Sequence, residues 1–142
     1  MQKLLIFVSE QWLLITLLFL VLFLIARIER KKAGISLTSN ELTQLMNKED
    51  VELIDLREKS DFNEGHIVGA INLPFQHWQS KNKKNEDLLS QYPNKTIVLV
   101  CKMGQQSSFV AKSLSKEAGD KKIYRLAGGV MEWKASQMPL VK

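Results

Sequence analysis

From Leu4 to Ala26 the chain is apolar almost without a break, interrupted only by Ser9, Glu10, Gln11 and Thr16. Between Trp12 and Ala26 there is no charge, and the run stops abruptly at Arg27, with Arg30, Lys31 and Lys32 behind it. As a helix, residues 4–26 would reach about 34 Å, enough to cross a hydrocarbon core about 30 Å thick, whereas Trp12–Ala26 alone would reach about 22 Å. Glu10 is then expected near an interface, with Trp12 as a headgroup-level anchor. A cleaved signal peptide would begin basic and end at a small-residue cleavage site, but here the start carries only Lys3. A buried core helix would need a partner that the downstream chain does not require. The expectation is a transmembrane anchor over residues 1–26, meeting the lipid bilayer through residues 4–26, followed by a basic tether over residues 27–35. The basic cluster behind the span predicts a single-pass protein of the cell (inner) membrane with its C-terminal domain facing the cytoplasm.

Residues 36–142 suffice for one domain. The net charge of +5 comes without a basic stripe interleaved with aromatics, so no nucleic-acid partner is expected. One cysteine, Cys101, rules out an intrachain disulfide and any Cys-x-x-Cys metal site. A lone thiol suits a reducing compartment, in agreement with the charge-based orientation.

Thr38 followed by Glu41 has capping-box spacing and predicts a helix to about Asn47. Val51–Leu56 reads as a buried strand, Ala70–Leu73 as a shorter one, and Thr96–Val100 as the clearest of all, β-branched and apolar throughout. Ser107–Ala118 is predicted helical, with Val110, Leu114 and Ala118 on one face and Gly119 as the stop. Lys122–Arg125 forms a last strand, and Gly128-Gly129 a turn into a short helix carrying Trp133. Strands alternating with helices, most of them buried on both sides, predict an α/β fold: a mainly parallel sheet of about five strands with helices on both faces.

Cys101 directly follows the best strand, and the five residues Lys102-Met103-Gly104-Gln105-Gln106 separate it from the predicted helix. Ligands of open α/β sheets bind at the carboxyl ends of strands. A loop turning there points backbone N–H groups inward as an anion nest, Gly104 permits φ > 0, and the helix N-terminus adds partial positive charge. Such a setting, with Lys102 beside it, favours a thiolate and predicts nucleophilic chemistry through a covalent intermediate.

Four segments in order carry a resemblance. Asp55-Leu56-Arg57 with Asp61-Phe62 comes first, then Gly65-His66-Ile67, Gly69-Ala70, Asn72 and Pro74. Cys101 to Gln106 with Ser107 follows, and then Leu126, Gly128-Gly129 and Trp133. Together they resemble the rhodanese family over roughly residues 35–137. The resemblance implies a sulfurtransferase in which Cys101 takes sulfane sulfur from a donor such as thiosulfate or a persulfide. The sulfur then passes as a persulfide to a thiol or to cyanide. It further implies that the loop amides of residues 102–106, with Ser107, cradle the sulfur and that no cofactor or metal is needed. Many relatives carry Arg where this chain has Gln106, so thiosulfate is expected to bind weakly here. Acceptors consistent with the resemblance include thioredoxin-like thiols and a membrane or sulfur-delivery protein.

Arg57 is open between substrate binding and structure, and its four-residue spacing to Asp61 predicts a pair across a helical turn. Asp55 reads as structural, His66 as holding the active loop in shape, His77 as a surface residue and Trp133 as core or pocket wall. Two alternatives stand beside the transferase: a non-catalytic module that docks a membrane or sulfur-delivery partner, and a phosphatase or arsenate reductase. The last would want Arg where Ser107 stands.

Overall fold

The computed structural model describes residues 11–32, 34–79 and 84–142, apart from the side chains of residues 28–32 and 84–86. The chain divides into two units, residues 1–31 and 32–142.

In the first unit, helix α1 (Trp12–Lys32) runs unbroken through the basic cluster, so the expected tether is helical as far as Lys32. Large apolar side chains from Leu17 to Ile25 are all exposed, between 43% and 67%. At about 100° per residue that run covers every face of the helix. Among the described residues no helix is long and apolar enough to cross a membrane. The described apolar stretch ends at about 22 Å, and Leu4–Glu10 of the expected span lies outside the described residues.

The second unit is built on β1 (Ile35–Leu37), β2 (Val51–Asp55), β3 (Ala70–Asn72), β4 (Thr96–Val100) and β5 (Ile123–Leu126). They form one five-stranded sheet in the order β1-β5-β4-β2-β3, and every pairing is parallel. The connecting helices are α2 (Ser39–Lys48), α3 (Lys59–Glu64), α4 (Gln76–Gln79), α5 (Lys84–Gln91), α6 (Gln105–Glu117) and α7 (Gly129–Ala135).

Period-two alternation along β4 divides the core into two layers. Ile97, Leu99 and Cys101 pack with Ile54, Leu56, and Val110, Ala111 and Leu114 of α6. Val98 and Val100 pack with Leu53, Leu42 of α2, and Val130 and Trp133 of α7. Helices thus cover both faces, as the buried strands require. The capping box forms: the Thr38 hydroxyl accepts from Glu41 N–H, and the Glu41 carboxylate accepts from Thr38 N–H at 2.8 Å.

Several boundaries shift by a residue or two from expectation, and two of the shifts have a clear cause. Strand β1 takes Ile35, the last residue of the expected tether, because its register on β5 (Ile35 beside Tyr124, Leu37 beside Leu126) completes the sheet edge. Helix α6 starts at Gln105 because Gly104, at φ 93°, turns the chain into it two residues early.

Candidate active site

The carboxyl ends of β5, β4 and β2 are neighbours, since these strands are adjacent and parallel. They bring Gly128, Cys101 and Asp55 to one edge of the sheet, where α/β folds hold their ligands.

Cys101 is 1% exposed at the end of β4. Its Sγ accepts the Gly104 N–H at 3.0 Å and the Ser107 N–H at 3.4 Å. The thiol also meets the Ser107 hydroxyl at 3.5 Å, and that hydroxyl donates to Gly104 O at 3.0 Å. Both amides belong to the start of α6, where unpaired N–H groups and the helix dipole favour negative charge. Of the amides in and after the turn, those of Gly104 and Ser107 reach Sγ itself. Lys102, Met103 and Gly104 form the turn, while Gln105 and Gln106 are exposed residues in the first turn of the helix. Ser107 is fully buried and shapes the turn through Gly104 O.

The turn is held from behind by α7. Val130 N–H donates to Cys101 O at 2.9 Å and Met131 N–H to Lys102 O at 3.1 Å. A Cβ on Gly129 would stand 2.1 Å from Cys101 O, so only glycine allows this approach. Gly128 caps α7 at φ 66°. Trp133 is core: it is 4% exposed and its Nε1–H donates to Pro139 O at 2.9 Å.

Beside the turn, Arg57 and Asp55 form a buried pair with Nη2–Oδ2 at 2.7 Å. Arg57 Nε and N–H both donate to Asp55 Oδ1 at 3.0 Å, and Nη2 donates to Gly65 O at 2.8 Å. The expected Arg57–Asp61 pair is replaced because α3 begins only at Lys59. Arg57 lies in the bend just after β2, where its own N–H and its guanidinium both turn back onto the Asp55 carboxylate. Removing either partner would strand a buried charge, at about 3–5 kcal/mol. Asn72 Nδ2 donates to Arg57 O at 2.8 Å and to Asp55 O at 3.2 Å, fixing the backbone under the pair. Asn72 matched a family segment, but its spacing alone gave it no role.

His66 does not act on the cysteine turn as expected. Its Nδ1 donates to Phe62 O at 3.0 Å, its ring stacks on Phe62 at 3.8 Å, and its backbone pairs with Val141 at 2.8 Å. It ties α3 to the C-terminal segment instead. His77 is exposed, and no cluster of metal-ligating side chains occurs among the described residues.

A pocket of about 240 Å³ opens over Cys101, with Arg57, Glu58, Asp61, Lys102, Met103, Gln105 and Gln106 in its lining. A smaller one of about 100 Å³ shares Arg57, Asp61 and Lys102 and adds Glu64, Met131 and Lys134. Glu58 and Glu64 carried no signal in the sequence reading. Their three-residue spacing around Asp61 was the available clue.

A parallel sheet with a single cysteine cradled at the start of a helix defines a class of protein, and the sequence comparison agrees. The model of the rhodanese-like domain matches residues 38–136, and the chain belongs to that family. It is 36% identical over 106 residues to the uncharacterized protein YibN of Escherichia coli strain K12, covering 75% of this chain and 71% of YibN. It is 32% identical over 98 residues to thiosulfate sulfurtransferase GlpE of Shewanella oneidensis, covering 68% of this chain and 89% of GlpE. Among solved structures, a rhodanese-related protein of Thermoplasma volcanium superposes with a TM-score of 0.62 at 22% identity. It covers 75% of this chain and 97% of its own, and at that identity the likeness speaks for the fold alone.

Proposed function

We propose that this chain is a sulfurtransferase that carries sulfane sulfur as a persulfide on Cys101, from a donor such as thiosulfate or a persulfide to a thiol or cyanide. The observation that carries this reading is the pair of helix-start amides, Gly104 N–H and Ser107 N–H, aimed at Sγ. They stabilise the attacking thiolate and then the persulfide anion. The likeness to a relative named thiosulfate sulfurtransferase supports the same chemistry. In this reading Lys102, Met103, Gln105 and Gln106 meet the substrate, while Asp55 and Arg57 position the turn beside them.

The test is intact-protein mass spectrometry of the purified full chain after incubation with thiosulfate or a polysulfide, beside Cys101→Ser. The expected result is a gain of one sulfur atom in the parent only, discharged by cyanide or a thiol. If no donor loads Cys101 while its thiol titrates as free, the non-catalytic docking module replaces this reading.

The proposal extends to location: residues 4–26 anchor the chain in a cell (inner) membrane, with the catalytic domain on the cytoplasmic side. Support comes from an apolar sequence interrupted only at Ser9–Gln11 and Thr16, and from apolar side chains exposed around every face of α1. Anchoring would raise the effective concentration of a membrane or thioredoxin-like acceptor near Cys101. Release of the chain from isolated membranes by alkaline carbonate would refute the anchor.

A further inference from the structure

The cleft over Cys101 is lined by side chains of both signs. Asp61 and Glu64 stand three residues apart on α3 and so lie side by side on it, and Glu58 is its extended N-cap. Glu58 and Asp61 line the pocket over the cysteine, and Asp61 and Glu64 line the pocket next to it. Lys102 lines both pockets, and Lys134 lines only the second. Arg57 adds no free charge, because Asp55 holds it at 2.7 Å with both side chains buried. Gln106, at the mouth, is neutral. Among the described residues lining the pocket over the thiol there are then two carboxylates, Glu58 and Asp61, and one lysine, Lys102, besides the Asp55-held Arg57.

We infer that this cleft selects its donor by charge: it takes sulfur from an organic persulfide bearing a cationic arm in preference to anionic donors such as thiosulfate. The inference rests on the transferase reading and names the substrate class of the same site. The sulfur end of the donor lies against the α6 amides and Lys102, and the cationic arm lies along α3. The step is a displacement at sulfur. The Cys101 thiolate attacks the outer sulfur of R–S–SH, the Sγ–S bond forms as the S–S bond breaks, and the electron pair leaves on R–S⁻. The proton stays on the transferred sulfur, giving Cys101–S–SH, with no net oxidation and no co-reactant. Thiosulfate, a dianion, must approach past Glu58 and Asp61, and its sulfite leaving group keeps both charges there.

The probes are two persulfides of matched size, that of cysteamine (cationic) and that of 3-mercaptopropionate (anionic), with thiosulfate as a third donor. Single-turnover loading of Cys101 on the full chain is followed by intact mass. The cationic persulfide is expected to load about tenfold faster than the anionic one at low salt. The ratio should shrink toward one as added salt shortens the screening length from about 30 Å to about 8 Å. The combined variant Glu58→Gln, Asp61→Asn, Glu64→Gln should bring the ratio to within about threefold while speeding thiosulfate loading. Equal rates for the two persulfides in the parent chain, or a ratio unmoved by salt, would overturn the inference and leave the transferase reading standing. If no donor loads Cys101, both fall together. The salt series uses the parent chain alone, so the outcome does not depend on the variant folding.

Discussion

Two strand-to-helix turns lie side by side at the carboxyl end of the sheet, after β4 and after β5, and they put the same local device to different uses. Each closes on a left-handed glycine, Gly104 at φ 93° and Gly128 at φ 66°, and each opens a helix with no side-chain cap. Both leave backbone N–H groups in need of acceptors. After β5 the acceptors are the carbonyls of Cys101 and Lys102, and the result is a strut. After β4 the acceptor is a sulfur atom, and the result is a nucleophile's cradle. Helix-start donors have no function of their own; the atom that the neighbouring chain presents decides it.

The strut is the part whose loss costs most. An alanine Cβ at position 129 would sit 2.1 Å from Cys101 O and 2.6 Å from Lys102 C, at a φ of 62° that L residues rarely adopt. One of the two backbones has to move, so Gly129→Ala is expected to destabilise by about 3 kcal/mol. Urea unfolding should show a lower midpoint at unchanged slope, and sulfur loading should fail because the carbonyl of the nucleophile is displaced. An unchanged midpoint would mean that the β5 turn does not brace its neighbour.

Gly104→Ala separates the two turns from the other side. Its Cβ would meet Gly128 N at 3.3 Å, with Gly128 Cα and Leu126 O at an ordinary 3.8 Å, so the cost is mainly the left-handed backbone, about 1–2 kcal/mol. Loading should nevertheless fall by about tenfold, because the Gly104 N–H that points at Sγ is misaimed. Stability moves less than in Gly129→Ala while loading is singled out. The reverse pattern would make the β4 turn a structural element like its neighbour.

How much of this the sequence disclosed depended on how local the signal was. β4 and the inner face of α6 announced themselves, since Ile97–Val100 is a continuous buried apolar run and Val110, Ala111 and Leu114 bury side chains at helical spacing. Cys101 and Gly104 were legible because a thiol and a glycine directly after a buried strand have few other uses. β1 was not, because it buries only Leu37 and exists through pairing with β5 across most of the chain. The Arg57–Asp61 pairing failed on a boundary: the four-residue rule holds only inside a helix, and at Arg57 the helix has not begun. The link from His66 to Val141 joins distant segments and left no local trace.

A third helix start completes the comparison at the small end of the scale. Helix α2 is capped by a side chain rather than by a glycine turn, and Thr38 and Glu41 satisfy each other's N–H groups. Thr38→Ala should cost about 1 kcal/mol and leave sulfur loading unchanged, since these donors serve neither the cysteine nor its strut. The Glu41 carboxyl is held below its ordinary value, first by the Thr38 N–H and then by the Thr38 hydroxyl. A depressed folded-state value means that the stabilisation is complete above the ordinary glutamate range and lost as pH falls through the lowered value. The stability gap between the parent chain and Thr38→Ala is therefore widest near neutral pH and narrows in acid, as thermal unfolding across that range would show. A gap that stays constant into acid would mean that the hydroxyl adds nothing to holding Glu41 ionised and that the residue-38 N–H, which the variant keeps, does so alone.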